Sequence, residues 1–273
     1  MARERRGVFG EAVDQYARAR PGYPDAMIDD ILAYGDPTNE ILEVGAGTGK
    51  ATVSFAARGV SLTCLEPDPR MAARLGQECA SFPNVSIEVS QLETYSRPLA
   101  FDALIAGQSW HWVDRLRRWD LAYEAVREGG TIALFWNAYV VADDSTSAEL
   151  KKIDERYSVD FGNYGVTDHH DDGSDEIELE EGWPAFDLVT DSRFEDLVSR
   201  RYRRHLNYDI DTFIDLLAST SSYRLLEEAE RERLFEEVRA VLLHRGDPVA
   251  MTIVTDLFLG RTVSPTSDRS DNE

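Results

Sequence analysis

Residues Ile41-Leu42-Glu43-Val44-Gly45-Ala46-Gly47-Thr48-Gly49 run an apolar strand pattern into a glycine-rich loop, and a helical pattern follows from Lys50 to Arg58. Closely spaced glycines permit backbone angles and a close ligand approach that a Cβ would block. The next helix then offers free N–H groups at its start, which suit an anionic group. A strand, a loop of this kind and a helix make the opening unit of a parallel α/β fold whose ligand sits at the strand ends.

The pattern continues along the chain. Strand signals at Glu40–Val44, Ser61–Leu65, Val85–Val89, Phe101–Ala106 and Thr131–Trp136 alternate with helical stretches, among them Arg70–Cys79 and Arg115–Arg127. Before the loop, residues 11–34 read as helical pieces broken at Arg20-Pro21-Gly22-Tyr23-Pro24, where the prolines force extended backbone. Strands separated by helices predict a parallel sheet with right-handed crossovers. After Asn137 the rhythm changes to a helical segment over 144–163, a strand over Phe194–Tyr208, helical periodicity over 210–245 and a last strand over Met251–Leu259. The acidic segment Thr167–Trp183, with eight acidic residues in seventeen, reads as a solvated, mobile loop. Residues 1–262 are expected to form a single domain. Its core is 8–137, with lid or substrate insertions at 138–193 and 209–248, and the polar tail 263–273 is expected to be disordered.

Composition narrows the partners. Asp plus Glu total 51 against 29 for Lys plus Arg, a formal charge of −22. Such a surface repels phosphate backbones and anionic lipid, so neither nucleic acid nor membrane is an expected partner. Lysine is confined to Lys50, Lys151 and Lys152, and the acidic balance resembles that of proteins from salt-loving archaea. The two cysteines, Cys64 and Cys79, lack metal or disulfide spacing, and His169-His170-Asp171-Asp172 lacks the spacing of a structural metal site, so no metal is expected. With no apolar N-terminal stretch behind a basic flank, the chain reads as soluble and cytoplasmic. Its oligomeric state is not legible.

Spacing arbitrates between ligands for the glycine loop. Dinucleotide loops follow G-x-G-x-x-G, whereas here the third glycine comes one residue early. Glu43, two positions before the first glycine, would repel a pyrophosphate but could meet an ammonium. Glu66 ends the second strand 17 residues after Gly49, close to where an acid meets ribose hydroxyls. Asp68 before Pro69 is also a good helix cap. Leu92 and Glu93 follow the third strand, where they could cover an adenine and accept from its amino group. Gly107 and Gln108 end the fourth strand, under the expected ligand. Trp110, His111 and Trp112 would then wall a second pocket, and aromatic walls suit apolar ligands and cations.

These motifs resemble the class I S-adenosylmethionine-dependent methyltransferases, in particular the bacterial and archaeal proteins akin to trans-aconitate methyltransferase. The resemblance rests on Tyr23-Pro24 after Arg20-Pro21, the E-V-G-A-G-T-G loop, Glu66-Pro67-Asp68, Leu92-Glu93, Trp110-His111-Trp112-Val113-Asp114 with Gly129-Gly130, and Phe213–Ser221. It implies a doubly wound, Rossmann-like seven-stranded sheet with its last strand antiparallel and helical lid insertions. It implies S-adenosylmethionine as cofactor, held by Glu43, Gly45, Ala46, Gly47, Thr48, Gly49, Glu66, Pro67, Leu92, Glu93, Gly107 and Gln108. It also implies that Tyr16 to Tyr23 folds over the cofactor, with Tyr16 and Arg20 as candidates for the methionine carboxylate.

Methyl transfer from a sulfonium is an in-line displacement, so the protein mainly aligns the partners. A neutral hydroxyl acceptor would need a base, for which His111 is the candidate. A carboxylate acceptor would need an arginine instead, Arg115 or Arg118. Tyr23, Trp110, His111, Trp112 and Arg115 are the expected substrate contacts, and the acceptor is expected to be a small molecule. A cofactor-binding regulatory or assembly protein without catalysis, and a nucleotide-linked oxidoreductase, are the competing classes.

Overall fold

The computed structural model describes residues 10, 12–35, 39–159, 171–177, 179 and 185–263. A seven-stranded sheet runs through them in the order β3-β2-β1-β4-β5-β7-β6. Its strands are β1 (Glu40–Val44), β2 (Ser61–Leu65), β3 (Val85–Glu88), β4 (Phe101–Gly107), β5 (Val126–Val141), β6 (Phe194–Tyr208) and β7 (Val249–Thr262). The pairs from β3 to β5 are parallel, and β7 runs antiparallel to both β5 and β6. The expected Rossmann-like sheet with a reversed last strand is therefore present.

Strand alternation sends successive residues to opposite faces, and both faces are covered. Leu42, Val44, Leu104, Leu134 and Trp136 pack on one side with Trp119 and Ala122 of α5 (Arg118–Ala125) and Leu188 of α7 (Phe186–Thr190). Ile41, Leu62, Ile105, Phe135 and Leu257 pack on the other with α2 (Asp25–Tyr34), α3 (Thr52–Ala56) and α4 (Pro69–Glu78). Asp68 caps α4 by accepting from the N–H groups of Arg70 and Met71, with Pro69 at the first helical position; such a cap is worth about 1 kcal/mol.

A third core lies beyond the ends of the parallel strands. Tyr139, Val141, Tyr208, Met251 and Ile253 extend the sheet through β5, β7 and β6. They pack with α6 (Asp144–Arg156), α8 (Ile210–Ala218), α9 (Ser221–Arg224) and α10 (Glu228–Arg245), which are the expected helical insertions. The helix α1 (Val13–Ala19) packs on α8. The Arg18 Nε–Asp215 ion pair at 2.7 Å joins them.

The structure redraws several boundaries. The helix expected over 115–127 is shorter, because Asp114 turns the chain by accepting from the Leu116 N–H at 2.9 Å, and Val126 already pairs with Phe101. The strand expected over 131–136 continues to Val141. Asn137 does not break it, since its Oδ1 accepts from Thr255 Oγ1 at 2.6 Å across the β7 pair. The described part of the acidic segment is strapped down at its arginine contacts, while Asp172, Asp175 and Glu176 stay exposed. Asp171 meets Arg203 at 2.8 Å, Arg201 donates to the Ser174 and Glu176 carbonyls, and Ile177 packs on the core. Residues 160–170 and the tail from 264 on, on which parts of the expectations fall, lie outside the described residues.

Candidate functional site

The site gathers where β1, β2, β4 and β5 end. The Gly45 and Ala46 N–H groups donate to Leu65 O at 2.8 and 3.1 Å, pinning the loop to the end of β2. Glu66, 7 % exposed, then braces it: Oε2 accepts from the Gly47 N–H and Oε1 from the Asp68 N–H, both at 2.8 Å. An ionised carboxylate accepts about four hydrogen bonds, so this bracing role and a ligand role are compatible.

The glycines divide the work. Gly45 and Gly47 both take positive φ, +70° and +61°, which glycine adopts without a steric penalty. A Cβ on Gly45 would lie 2.5 Å from Ser109 Cβ, so its bareness serves packing against the end of β4. At Gly47 the nearest atoms to such a Cβ are Met71 and Tyr16 at 3.8 and 3.9 Å, ordinary contact distances, so no protein atom crowds it as Ser109 crowds Gly45. Gly107 resembles Gly45: a Cβ there would meet Phe135 at 2.4 Å and the Tyr23 hydroxyl at 2.7 Å.

Charge at the loop is unbalanced. Glu43 is 2 % exposed and accepts from Thr52 Oγ1 at 2.7 Å and the Cys64 thiol at 3.5 Å; burial pushes its pKa up to about 7. Among the described residues no lysine or arginine forms an ion pair with Glu43 within 4.0 Å. Lys50, the nearest in sequence, instead donates to Ala17 O at 2.6 Å and ties α1 to the loop. Thr48 is buried and its Oγ1 has no hydrogen-bond partner. Tyr16 lies beside Gly47 and close enough to Glu66 to feel its charge.

Arg20 carries the opposite imbalance. Its guanidinium sits 5.3 Å from both the Tyr16 and Tyr139 rings. It donates to Ser219 Oγ at 2.8 Å, Thr220 Oγ1 at 3.0 Å and the Tyr139 hydroxyl at 3.1 Å, all neutral groups. The Tyr16–Tyr23 segment thus lies beside the glycine loop at Tyr16 and latches onto the α8–α9 junction through Arg20.

Other expectations are corrected. Leu92 is 3 % exposed and belongs to the core under β1 and β4. Glu93 turns its Oε1 to the Asp114 N–H at 2.9 Å and braces that turn. Trp110 is fully buried, edge-on to Trp119 at 5.3 Å, and is core rather than pocket wall. Arg118 is neutralised by Asp187 at 2.8 Å, and Arg115 is exposed in the turn before α5. Gln108 holds a positive φ and donates its Nε2 to Asn137 O at 2.8 Å, while Pro67 is half-buried next to Glu66.

His111 and Trp112 stay together, ring centroids 4.6 Å apart. Trp136 Nε1 approaches His111 Nδ1 at 3.5 Å, which favours the tautomer protonated at Nε2. Burial, reinforced by the Arg118 charge, pulls its pKa down to about 4. The ring is neutral at pH 7 but a weak base. Among the described residues no group of metal-ligating side chains gathers, and no helix is long and apolar enough to cross a membrane.

Residues 41–130, from β1 into β5, match the family model of the methyltransferase domain. Over these residues the chain is similar to methyltransferase domains. An uncharacterised methyltransferase of Mycobacterium bovis is 36 % identical to this domain over 132 residues, covering 47 % of this chain and 51 % of the relative. The malonyl-[acyl-carrier protein] O-methyltransferase 1 of Ilyobacter polytropus is 26 % identical over 169 residues, 56 % of this chain and 62 % of that one. The chain thus spans about half the length of the first of these relatives. Among solved structures, a protein assigned as a type II methyltransferase from Anaeromyxobacter dehalogenans matches the methyltransferase fold with a TM-score of 0.63 at 19 % identity, over 90 % of this chain and 99 % of that chain. The Haemonchus contortus phosphoethanolamine N-methyltransferase 2, in complex with S-adenosyl-L-methionine, gives 0.50 at 12 % identity over 96 % and 58 %.

Asn137, Tyr139, Ser109, Ser219 and Thr220 were not singled out by sequence reasoning as site residues. Asn137 and Tyr139 follow the apolar run of β5, and only their pairing with Thr255 and Ile253 reveals that the strand carries them to the site.

Proposed function

We propose that this chain transfers the methyl group of S-adenosylmethionine to a small-molecule acceptor, at an oxygen of a carboxylate or hydroxyl. The observation that carries the reading is the split charge at the glycine loop. Glu43 is buried with hydrogen bonds from neutral groups on one side, and Arg20 is bonded to neutral groups on the other. A zwitterionic amino-acid moiety complements both. The uncrowded backbone at Gly47 and the orphaned Thr48 hydroxyl fit the same ligand. Glu43 and Glu66 would face its cationic and ribose groups and Arg20 its carboxylate, with Tyr16 covering the loop.

When bound, that cofactor supplies an activated methyl group on a good leaving group. The protein's work is then positioning and exclusion of water, for which orientation is worth roughly 7–11 kcal/mol. The α1 segment, latched by Arg20 to Ser219 and Thr220, closes the site on one side. His111, neutral and protonated at Nε2, acts as a hydrogen-bond donor that orients the acceptor. An acceptor already ionised needs no stronger base, and the relative from Ilyobacter polytropus is by name an O-methyltransferase. The test is label transfer from methyl-labelled S-adenosylmethionine to a panel of carboxylic acids, phenols and amines. Labelled product from an oxygen acceptor, with release of S-adenosylhomocysteine, is expected. Cofactor binding with no transfer to any class would favour a regulatory role.

A further inference from the structure

Tyr139 of β5, Ile253 of β7 and Arg204 of β6 form one cross-strand row. The α1–α2 linker crosses this row: Arg204 Nη2 donates to Gly22 O at 2.5 Å, and the Tyr208 hydroxyl donates to Ala19 O at 3.0 Å. Arg20 reaches the same row from the linker, through Tyr139. Two guanidiniums therefore flank a group of tyrosine hydroxyls. Tyr23, Tyr139 and Tyr208 all lie close enough to Arg204 to feel its charge.

The pairing habits of this chain make Arg204 unusual. Arg58, Arg118, Arg193, Arg201 and Arg203 are all well covered, and each meets an aspartate at 3.0 Å or less. Arg204 is half-buried, and among the described residues no carboxylate lies within ion-pair distance of it. Its Nε is buried and has no hydrogen-bond partner. Asp25, the nearest acid to act on it, is paired with Arg58. Burial lowers the arginine's pKa, and burial raises those of Tyr23 and Tyr208, so the tyrosines stay protonated donors. A half-buried guanidinium with no counter-ion and a buried, unbonded Nε is costly to keep. A planar fork of five donors beside neutral hydroxyls is matched by an oxyanion.

We propose that Arg204, with Tyr139 beside it, binds a carboxylate of the methyl acceptor, leaving Arg20 to the carboxylate of the cofactor. This rests on the methyltransferase reading above. Position separates the two arginines: Arg20 stands next to Tyr16, which overlies Gly47, whereas Arg204 lies on the edge strand, beyond β7. The acceptor class is thus a small organic anion.

Titration calorimetry on the full chain saturated with S-adenosylhomocysteine tests this, with phenylacetate, succinate and tricarballylate as probes and succinamide as the neutral control. At least one carboxylate should bind and succinamide should not. Arg204→Gln should weaken that carboxylate tenfold or more and leave S-adenosylhomocysteine affinity within twofold. Arg204→Lys, which keeps the charge but not the fork, should retain part of the binding. Equal carboxylate affinity in Arg204→Gln, or no carboxylate binding to the wild type, overturns the proposal. So does joint loss of both ligands in both variants, since Arg204 would then only hold the linker through Gly22. A wild type that ignores S-adenosylhomocysteine removes the methyltransferase reading itself.

Discussion

Gly45 and Ser109 meet so closely that a Cβ on Gly45 would lie 2.5 Å from that of Ser109. Ser109 also donates its hydroxyl to Val44 O, so the end of β4 is stitched to the end of β1 at the floor of the site. A methyl group at position 45 would meet both that contact and a positive φ of +70°. Gly45→Ala should therefore lower stability by about 1–3 kcal/mol, as overpacking does, and adding Ser109→Gly should recover part of it. Denaturant melts of the single and double variants measure this. Additive losses with no recovery would mean that the contact does not limit the packing.

Glu43 supplies a pH signature. Its pKa rises from 4.5 to about 7 because it is buried without a cation. The unfolded chain releases this proton first, so the native state binds more protons between those values. Stability from this group is intact below pH 4.5 and is lost as pH rises towards 7, by about 3 kcal/mol at one pKa unit per 1.36 kcal/mol. Glu43→Gln, which can still accept from Thr52, should melt higher than the wild type at pH 8 and equally at pH 5. Identical melting shifts at both values would show that the carboxylate is already neutralised.

His111 should leave no inflection near pH 6.5 in the pH–rate profile, because its pKa lies at about 4. His111→Asn should lower kcat by a factor of roughly ten or less, consistent with loss of an orienting hydrogen bond rather than a general base. A wild-type inflection near 6.5 that disappears in this variant would restore the base.

The charge of −22 predicts a response to salt. At 1 M the screening length falls to about 3 Å, which relieves repulsion across the acidic surface. It weakens exposed ion pairs such as Arg239–Asp211 less seriously, since such pairs contribute little. Melting temperature should rise between 0.1 and about 2 M KCl; a flat or falling profile counts against adaptation to salt.

The sheet was legible because strand β1, the glycine loop and the Glu66 position carry local backbone demands that show in residue type. The bounds of β1, β2 and β6 coincide with expectation for that reason. What failed was the reading of side-chain direction. Trp110 and Leu92 lie near the ligand in sequence, yet alternation and helical turns point them into the core. One oxygen of Glu93 is taken by a backbone N–H 21 residues away, which spacing does not show, while its buried Oε2 has no hydrogen-bond partner. In sequence Arg204 belongs with Arg200, Arg201 and Arg203 as a basic cluster expected to form ion pairs; those three do, and that Arg204 lacks an acid among the described residues depends on long-range pairing. The acidic segment was read as solvated because composition does not show that Arg201 and Arg203 face it.

The central claim is that the uncrowded backbone at Gly47 admits the cofactor while Gly45 serves packing. Titration calorimetry with S-adenosylhomocysteine tests it most directly, comparing the wild type with Gly47→Val in samples shown to be folded by near-UV dichroism. The account predicts binding to the wild type and a loss of at least a hundredfold, about 2.7 kcal/mol, in the variant. Undiminished affinity in a folded Gly47→Val, or no heat of binding in the wild type at millimolar ligand, would contradict it.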